Sequence, residues 1–152
     1  MKVHPTPERL AFLAKDYAQG FIADLGLEAV HFKRGALESR LIIQPRHRQQ
    51  DHYIHAGVLA AMADHTAGYA AFTLIPEEYR ILTIEFKINF LAPAFGQTLI
   101  CQSRVLREGK QILVGESEIF DQRQEGVTLT AKAMVTLMAV HQNKIKKVPD
   151  DV

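Results

Sequence analysis

Apolar and polar residues change rhythm three times along this chain, and each rhythm predicts a different element. Near the start, Leu10, Phe12, Leu13, Tyr17, Phe21 and Ile22 recur at roughly helical spacing. Thr6 ahead of Pro7 and Glu8 supplies an N-cap, a first-turn proline and a first-turn acid, so a helix is expected over 7–24, ending near Gly26. From Leu27 the pattern turns extended. Arg34-Gly35 marks a turn between short strands over 27–33 and 36–43, and the polar stretch 44–53, with Pro45, reads as a loop. Residues 57–75 are apolar on almost every side and rich in Ala, and Pro76 stops them. A helix of that kind is normally buried, so this one is expected at the centre of the core.

The remainder alternates. Leu82, Ile84, Phe86, Ile88 and Phe90 interleave with Thr83, Glu85, Lys87 and Asn89, the signature of a half-buried antiparallel strand broken by Pro93 and Gly96. Strands over 97–107 and 111–121 follow, joined at Glu108-Gly109. In a last strand Val127, Leu129, Ala131, Ala133, Val135 and Leu137 are expected to point inward. Five or six antiparallel strands can cover an all-apolar helix only by curling around it. The expected class is therefore α+β: a curved antiparallel sheet wrapped around a long central helix, as in a hotdog fold.

Composition narrows the function classes. The chain has 152 residues, 47% of them hydrophobic and 23% charged, which suits one globular domain over 1–152 and argues against disorder. Net charge is +1 and neither half is polarised, so neither a nucleic-acid surface nor an anionic membrane is favoured. Cys101 is the only cysteine, which excludes an intrachain disulfide and thiolate zinc chemistry; it is expected as an inert, buried thiol. The N-terminus has no signal-peptide core, and the apolar run Ala56–Ala63 is too short to span a bilayer, so a cytoplasmic protein is expected. The tail 143–152, basic and then acidic, is expected to fray.

Asp64 is the residue that does not fit. It falls in the second or third turn of the apolar helix, among Ala60, Ala61, Ala67 and Gly68. An ionised carboxylate in an apolar interior costs several kcal/mol, so it must be paired or must line a cavity. Two readings stand: a general base or nucleophile in a pocket, or an acid paired with a nearby His or Arg. Just upstream, His55-Ala56-Gly57 leads into the helix. The first N–H groups of a helix lack internal partners and sit at the positive dipole end. Ala56 and Gly57 can thus aim N–H groups at a developing oxyanion. The alternative is an ordinary loop-to-helix junction with a solvated His.

His55-Ala56-Gly57, Asp64 nine residues after the His, Ala67-Gly68, Phe90-Leu91-Ala92-Pro93 with Gly96, and the Gly109-Lys110 turn together resemble hotdog-fold acyl-CoA thioesterases of the phenylacetate-pathway (PaaI-like) type. The resemblance covers residues 25–140. It implies hydrolysis of an acyl-CoA to free acid and CoA without a cofactor. Asp64 falls on the family's catalytic acid, His55 on its loop histidine, Ala56 on its oxyanion donor, and Gln49 on a residue that positions substrate or water. It implies a homodimer, or a dimer of dimers, in which Asp64 of one subunit faces Gln49 and His55 of the other. Two departures are visible. His-Ala-Gly replaces the common His-Gly-Gly, and Gly68 stands where some members, chiefly those with Glu as the acid, have Ser or Thr, leaving Thr66 as the nearest hydroxyl in the sequence.

Other candidates are weaker. Arg80, Arg104, Arg107 and Lys110 are cations for CoA phosphates, with Arg107 and Lys110 preferred and Arg46 and Arg48 as alternatives. Tyr53 and Gly68 are expected to touch substrate. His52, His55, Asp64 and His65 match no standard zinc spacing, so no metal is expected, and His65 is read as a hydrogen-bonded or interface residue. Two alternatives remain: an enoyl-thioester hydratase or dehydratase, and a non-catalytic acyl-CoA-binding protein. The latter would have no need of Asp64 and would usually carry an effector domain.

Overall fold

The structure is a computed structural model that describes residues 2–150. Its elements run α1 (Pro7–Tyr17), α2 (Gly20–Leu25), β1 (Leu27–Lys33), β2 (Ala36–Ile42), α3 (Ala56–Phe72), β3 (Tyr79–Phe90), β4 (Thr98–Glu108), β5 (Ile112–Arg123) and β6 (Gly126–His141). All six strands are antiparallel in one sheet, in the order β1-β2-β4-β5-β6-β3. Chain order is broken twice: α3 crosses the sheet's inner face to carry the chain from β2 to β3 at the opposite edge, and the segment after β3 returns it to β4 beside β2. This is the expected α+β hotdog architecture.

The expected first helix is two. Thr6 caps α1 by accepting from the Arg9 N–H (3.1 Å), and Tyr17 ends it fully buried. Ala18 (φ −98°, ψ 65°) and Gln19 (φ −127°, ψ 157°) then leave the helical region and break the helix, and α2 opens on Gly20 with a positive φ (+51°). At the other end, the tail starts as a 3-10 turn over Gln142–Lys144, and residues 151–152 of the expected frayed tail lie outside the described residues.

α3 lies close against the sheet because small residues face small residues. Ala63, Ala67 and Ala70 are buried over a sheet that contributes Ala131, Ala133 and Ala139, and a Cβ built on Gly115 would reach the Ala67 Cβ at 3.8 Å. Beneath the helix runs a buried hydroxyl network. Thr66 Oγ1 meets Tyr17 Oη (3.1 Å) and Ser39 Oγ (2.8 Å). Ser103 Oγ meets Ser117 Oγ (2.6 Å), which donates to the Ala63 carbonyl (2.7 Å). Each hydroxyl of this network thus has a partner.

Contrary to the expectation of burial all round, α3 keeps one stripe open. Gly57 is exposed, and Ala61, Asp64 and Gly68 are half-buried along the same face. Two β-bulges correct the strand readings. A register shift between Thr83 and Glu85 makes Ile84 the extra residue of β3. Thr83 therefore turns inward beside Leu137, Phe86 turns inward beside Val135, and Leu82 and Ile84 are left 44% and 51% exposed. A shift after Ile119 likewise takes Leu129 out of the inward row, and Val127, expected inward, is 63% exposed.

Candidate active site

The head of α3 is built by the loop before it. His55 is the N-cap, and its Nδ1 accepts from the Gly57 N–H at 2.8 Å. That bond occupies the Gly57 N–H, so the expectation that both Ala56 and Gly57 offer free donors is corrected. Only the Ala56 N–H, which meets no partner among the described residues, points outward at the positive end of the helix.

The loop itself is tightly held. Gln49 N–H donates to Tyr53 O (2.8 Å), His52 N–H to Gln49 O (3.0 Å), and His52 adopts φ +70°. The Gln49 side-chain oxygen accepts from the Asp51 N–H, which leaves its amide group to face outward contacts. Behind the loop, His47 is buried. Its Nδ1 accepts from the Gln44 N–H (2.9 Å), so its Nε2–H donates to Leu25 O (2.7 Å), and its own carbonyl receives the His55 N–H (2.9 Å). Burial holds the His47 imidazole below its ordinary pKa, consistent with the neutral form that this bonding requires.

A second clamp comes from β5. Asp121 is fully buried, and its carboxylate accepts from the Phe95 N–H (3.0 Å), the Gly96 N–H (3.0 Å) and Arg123 Nε (2.8 Å). Arg123 also donates to Pro93 O (2.6 Å) and lies 3.9 Å over the Phe95 ring. Gly96 is required here, because a Cβ would sit 2.3 Å from Gln122 O. This fixed segment presents the Ala94 carbonyl to the Ile54 N–H (2.8 Å). Between the two segments lies a groove of about 320 Å³ lined by Tyr53, Ala56, Leu59, Phe90 and Pro93. Tyr53 and Ala56 thus line the same groove.

Asp64 stands elsewhere. It is half-buried on the open stripe of α3, and its Oδ1 accepts from Thr83 Oγ1 at 2.8 Å. The hydroxyl beside the acid is thus Thr83, not Thr66, which turns into the core and donates to Met62 O (2.6 Å). Gly68 lies one turn further on, and a Cβ there would meet nothing within 4 Å, so the helix face is open beside the carboxylate. Eight residues separate Asp64 from Ala56, about 12 Å at the helical rise. One chain therefore does not bring Gln49, His55 and Ala56 together with Asp64.

The remaining candidates scatter. Arg107 and Lys110 are exposed at the β4–β5 hairpin, near the tail end of α3 and far from His55. Arg104 is engaged by Glu116 (2.6 Å), Arg48 donates to His52 O (2.8 Å), and Arg80 to Glu77 O (2.9 Å). His65 packs between the Tyr17 and Tyr69 rings and bonds Tyr17 O (2.9 Å), with burial lowering its pKa. Among the described residues no group of three or more His, Cys, Asp or Glu is arranged to hold a metal ion, and no helix is long and apolar enough to cross a membrane.

Sequence reasoning missed Thr83, Asp121, Arg123 and His47. Asp121 had a signal: an acid on the inward row of Leu113, Ser117 and Ile119. Thr83 had none, because only the bulge turns it inward.

A helix head with a free N–H and a half-open acid on the same helix, set on a curved antiparallel sheet, define a hotdog hydrolase scaffold. The chain belongs to the thioesterase superfamily, whose family model matches residues 51–128. A thioesterase family protein from Silicibacter pomeroyi has the same fold with a TM-score of 0.83 and 32% identity, over 86% of this chain and 98% of that one. A 1,4-dihydroxy-2-naphthoyl-CoA hydrolase from Listeria monocytogenes is 24% identical over 70% of this chain and 86% of its own length. A phenylacetic acid degradation-related protein from Ralstonia eutropha shares the fold with a TM-score of 0.68 and 24% identity, over 76% of this chain and 86% of that one. The chemistry of this chain is accordingly thioester hydrolysis.

Proposed function

We propose that the protein hydrolyses acyl-CoA thioesters at a site completed by a second copy of the chain. The observation that carries this reading is Asp64. It is the one acid on α3, it opens toward solvent beside small residues, and one of its oxygens is held by Thr83 while the other meets no partner among the described residues.

The second copy is called for by the sheet edge. Among the described residues β3 is paired only with β6 along its 12 residues, and Leu82, Ile84, Phe86 and Phe90 are exposed on it. A long apolar edge is a template for strand addition. Antiparallel pairing of two β3 strands about a two-fold axis covers it and sets Asp64 of one copy against the head of α3 in the other. Neither half-site is complete alone, since about 12 Å separates the acid from the Ala56 N–H within one chain.

The steps follow from these groups. The thioester carbonyl accepts from Ala56 N–H. The free oxygen of Asp64 takes a proton from water as that water adds to the carbonyl carbon. The tetrahedral oxyanion is held at the helix head. Collapse breaks the C–S bond, and the departing CoA thiolate recovers a proton from the Asp64 carboxyl. Thr83 donates to one carboxylate oxygen throughout, which orients the other toward water. His55 locks the loop through Gly57, and Tyr53 and Gly68 flank the acyl group.

The test is turnover of an acyl-CoA panel by the wild type beside Asp64→Asn. General-base catalysis is worth about 10²–10⁴-fold, so kcat should fall by that much in a folded variant. Near-normal turnover by Asp64→Asn would sink the assignment. Acyl-CoA binding without turnover in the wild type would make the protein a binder instead.

A further inference from the structure

His47 is the one buried residue of the polar loop 44–53, 1% exposed between an exposed Arg46 and a half-buried Arg48. A polar ring so enclosed must find partners, and both of its nitrogens have one. The Gln44 N–H points at Nδ1 (2.9 Å), which makes Nδ1 an acceptor and places the ring proton on Nε2. Nε2–H donates to Leu25 O, the last carbonyl of α2. The ring therefore closes the 3-10 turn Pro45–His47 and docks it on the end of α2.

The backbone of the same residue reaches the helix head. His47 O accepts the His55 N–H at 2.9 Å, and Arg48 pairs with Ile54 in an isolated bridge. A second bond, from the Gly57 N–H to Nδ1, holds the His55 ring. The Ala56 N–H lies between these two anchors, so its direction depends on the seat of His47.

That seat exists only for a neutral ring. A protonated imidazole is a donor at both nitrogens, and Nδ1–H would then face the Gln44 N–H with no acceptor between them. The charges around the ring oppose the proton as well. Arg46 Nε stands 3.4 Å from Nε2, and Arg48 follows on the same turn. From α2 the ring meets the Leu25 carbonyl, and the head of α3 presents His55, whose Nδ1 is already taken by Gly57. Among the described residues no carboxylate pairs with His47. Burial first, and the two guanidinium groups after it, keep the imidazole below its ordinary pKa.

We infer that His47 is a positioning residue for the oxyanion donor: its neutral ring seats the loop that aims the Ala56 N–H, and its protonation unseats that loop and disarms the site. This role rests on the acyl-CoA reading above, in which the Ala56 N–H receives the thioester carbonyl.

The test is the pH profile of kcat and KM, from about pH 4.5 to 8, for the acyl-CoA that the protein turns over fastest. In the wild type kcat should fall about tenfold per pH unit below the His47 midpoint, with KM steady, because the lost contact belongs to the transition state. His47→Gln can still accept from Gln44 and donate to Leu25 O but takes up no proton. Its kcat should stay level across that interval, whatever the height of its plateau. His47→Ala can make neither bond, and its kcat should lie about tenfold below that of His47→Gln at neutral pH. The wild type reports without any variant too: in 15N NMR spectra the Gln44 and His55 amides should shift with the midpoint of the His47 ring nitrogens. A His55 amide blind to the titration of His47, or an acid limb that His47→Gln leaves in place, would overturn the proposal. Amides that follow His47 in a protein that hydrolyses no thioester would uphold the coupling and discard the hydrolase reading.

Discussion

The head of α3 and its middle are built by opposite means. At the head, His47, His55, Asp121 and Arg123 spend a dense set of hydrogen bonds to fix two loop segments, and the result is finished within one chain. In the middle, Asp64 has one bond, from Thr83, between small residues and beside a bare strand. The contrast teaches how labour is divided. In the proposed mechanism the group that stabilises charge is held rigidly, because preorganised donors need no rearrangement during reaction. The group proposed to meet water is left open, for a second copy to close over.

The sharpest way to break the comparison is to inactivate each region in a different chain. Ala56→Pro removes the N–H at a position where proline is tolerated, and His55 already has the extended backbone (ψ 135°) that precedes a proline. Losing this oxyanion donor should cost about 10²–10³-fold in kcat. Mixed and refolded with Asp64→Asn, it should recover about a quarter of wild-type activity, because half of a random dimer population is mixed and each mixed dimer holds one intact site. No recovery, with mixed dimers shown to form, would place both groups in one chain's site.

Asp121→Ala strikes the rigid region alone. It strands the half-buried Arg123 and two backbone N–H groups, so unfolding free energy should drop by about 3–5 kcal/mol in chemical denaturation. A loss under 1 kcal/mol would mean that the clamp is not what holds the loop.

Thr83→Val acts on the open region. It should lower kcat about tenfold, the worth of one hydrogen bond to a charged group, with little change in stability, and Thr83→Ser should restore it. An unchanged kcat would remove Thr83 from the machinery.

The smallest effect is on pH. Burial lowers the pKa of His47 and His65 below the ordinary 6.5, so the unfolded chain binds more protons than the native one on the acid side. Their contribution to stability is complete above pH 6.5 and is lost as pH falls through their native values. Thermal midpoints should decline below pH 6.5, and His47→Gln should flatten the decline.

Periodicity made the large elements legible: six strands, a central helix, and an N-terminal helical segment ending at Gly26. Asp64 and the His55-Ala56-Gly57 junction stood out because an acid on an apolar helix and a helix head are local features. What failed was parity. A bulge costs one residue and leaves no compositional mark, so Thr83, Ile84, Val127 and Leu129 were assigned to the wrong faces. Ser39, Ser103 and Ser117 were equally silent, because an inward serine reads as a solvent residue until its partner across the sheet is known. The Asp121 clamp joins residues more than 20 positions apart, and no local pattern reports such a pairing.

Cys101 closes the account in a different currency, that of time. The single thiol is wholly enclosed on β4, and burial pushes its pKa up to about 11, so at neutral pH it offers neither access nor thiolate. Any reagent that labels it must wait for the middle of the sheet to part. The native chain therefore carries its own clock: the rate of thiol labelling counts the openings of the core, with no probe introduced.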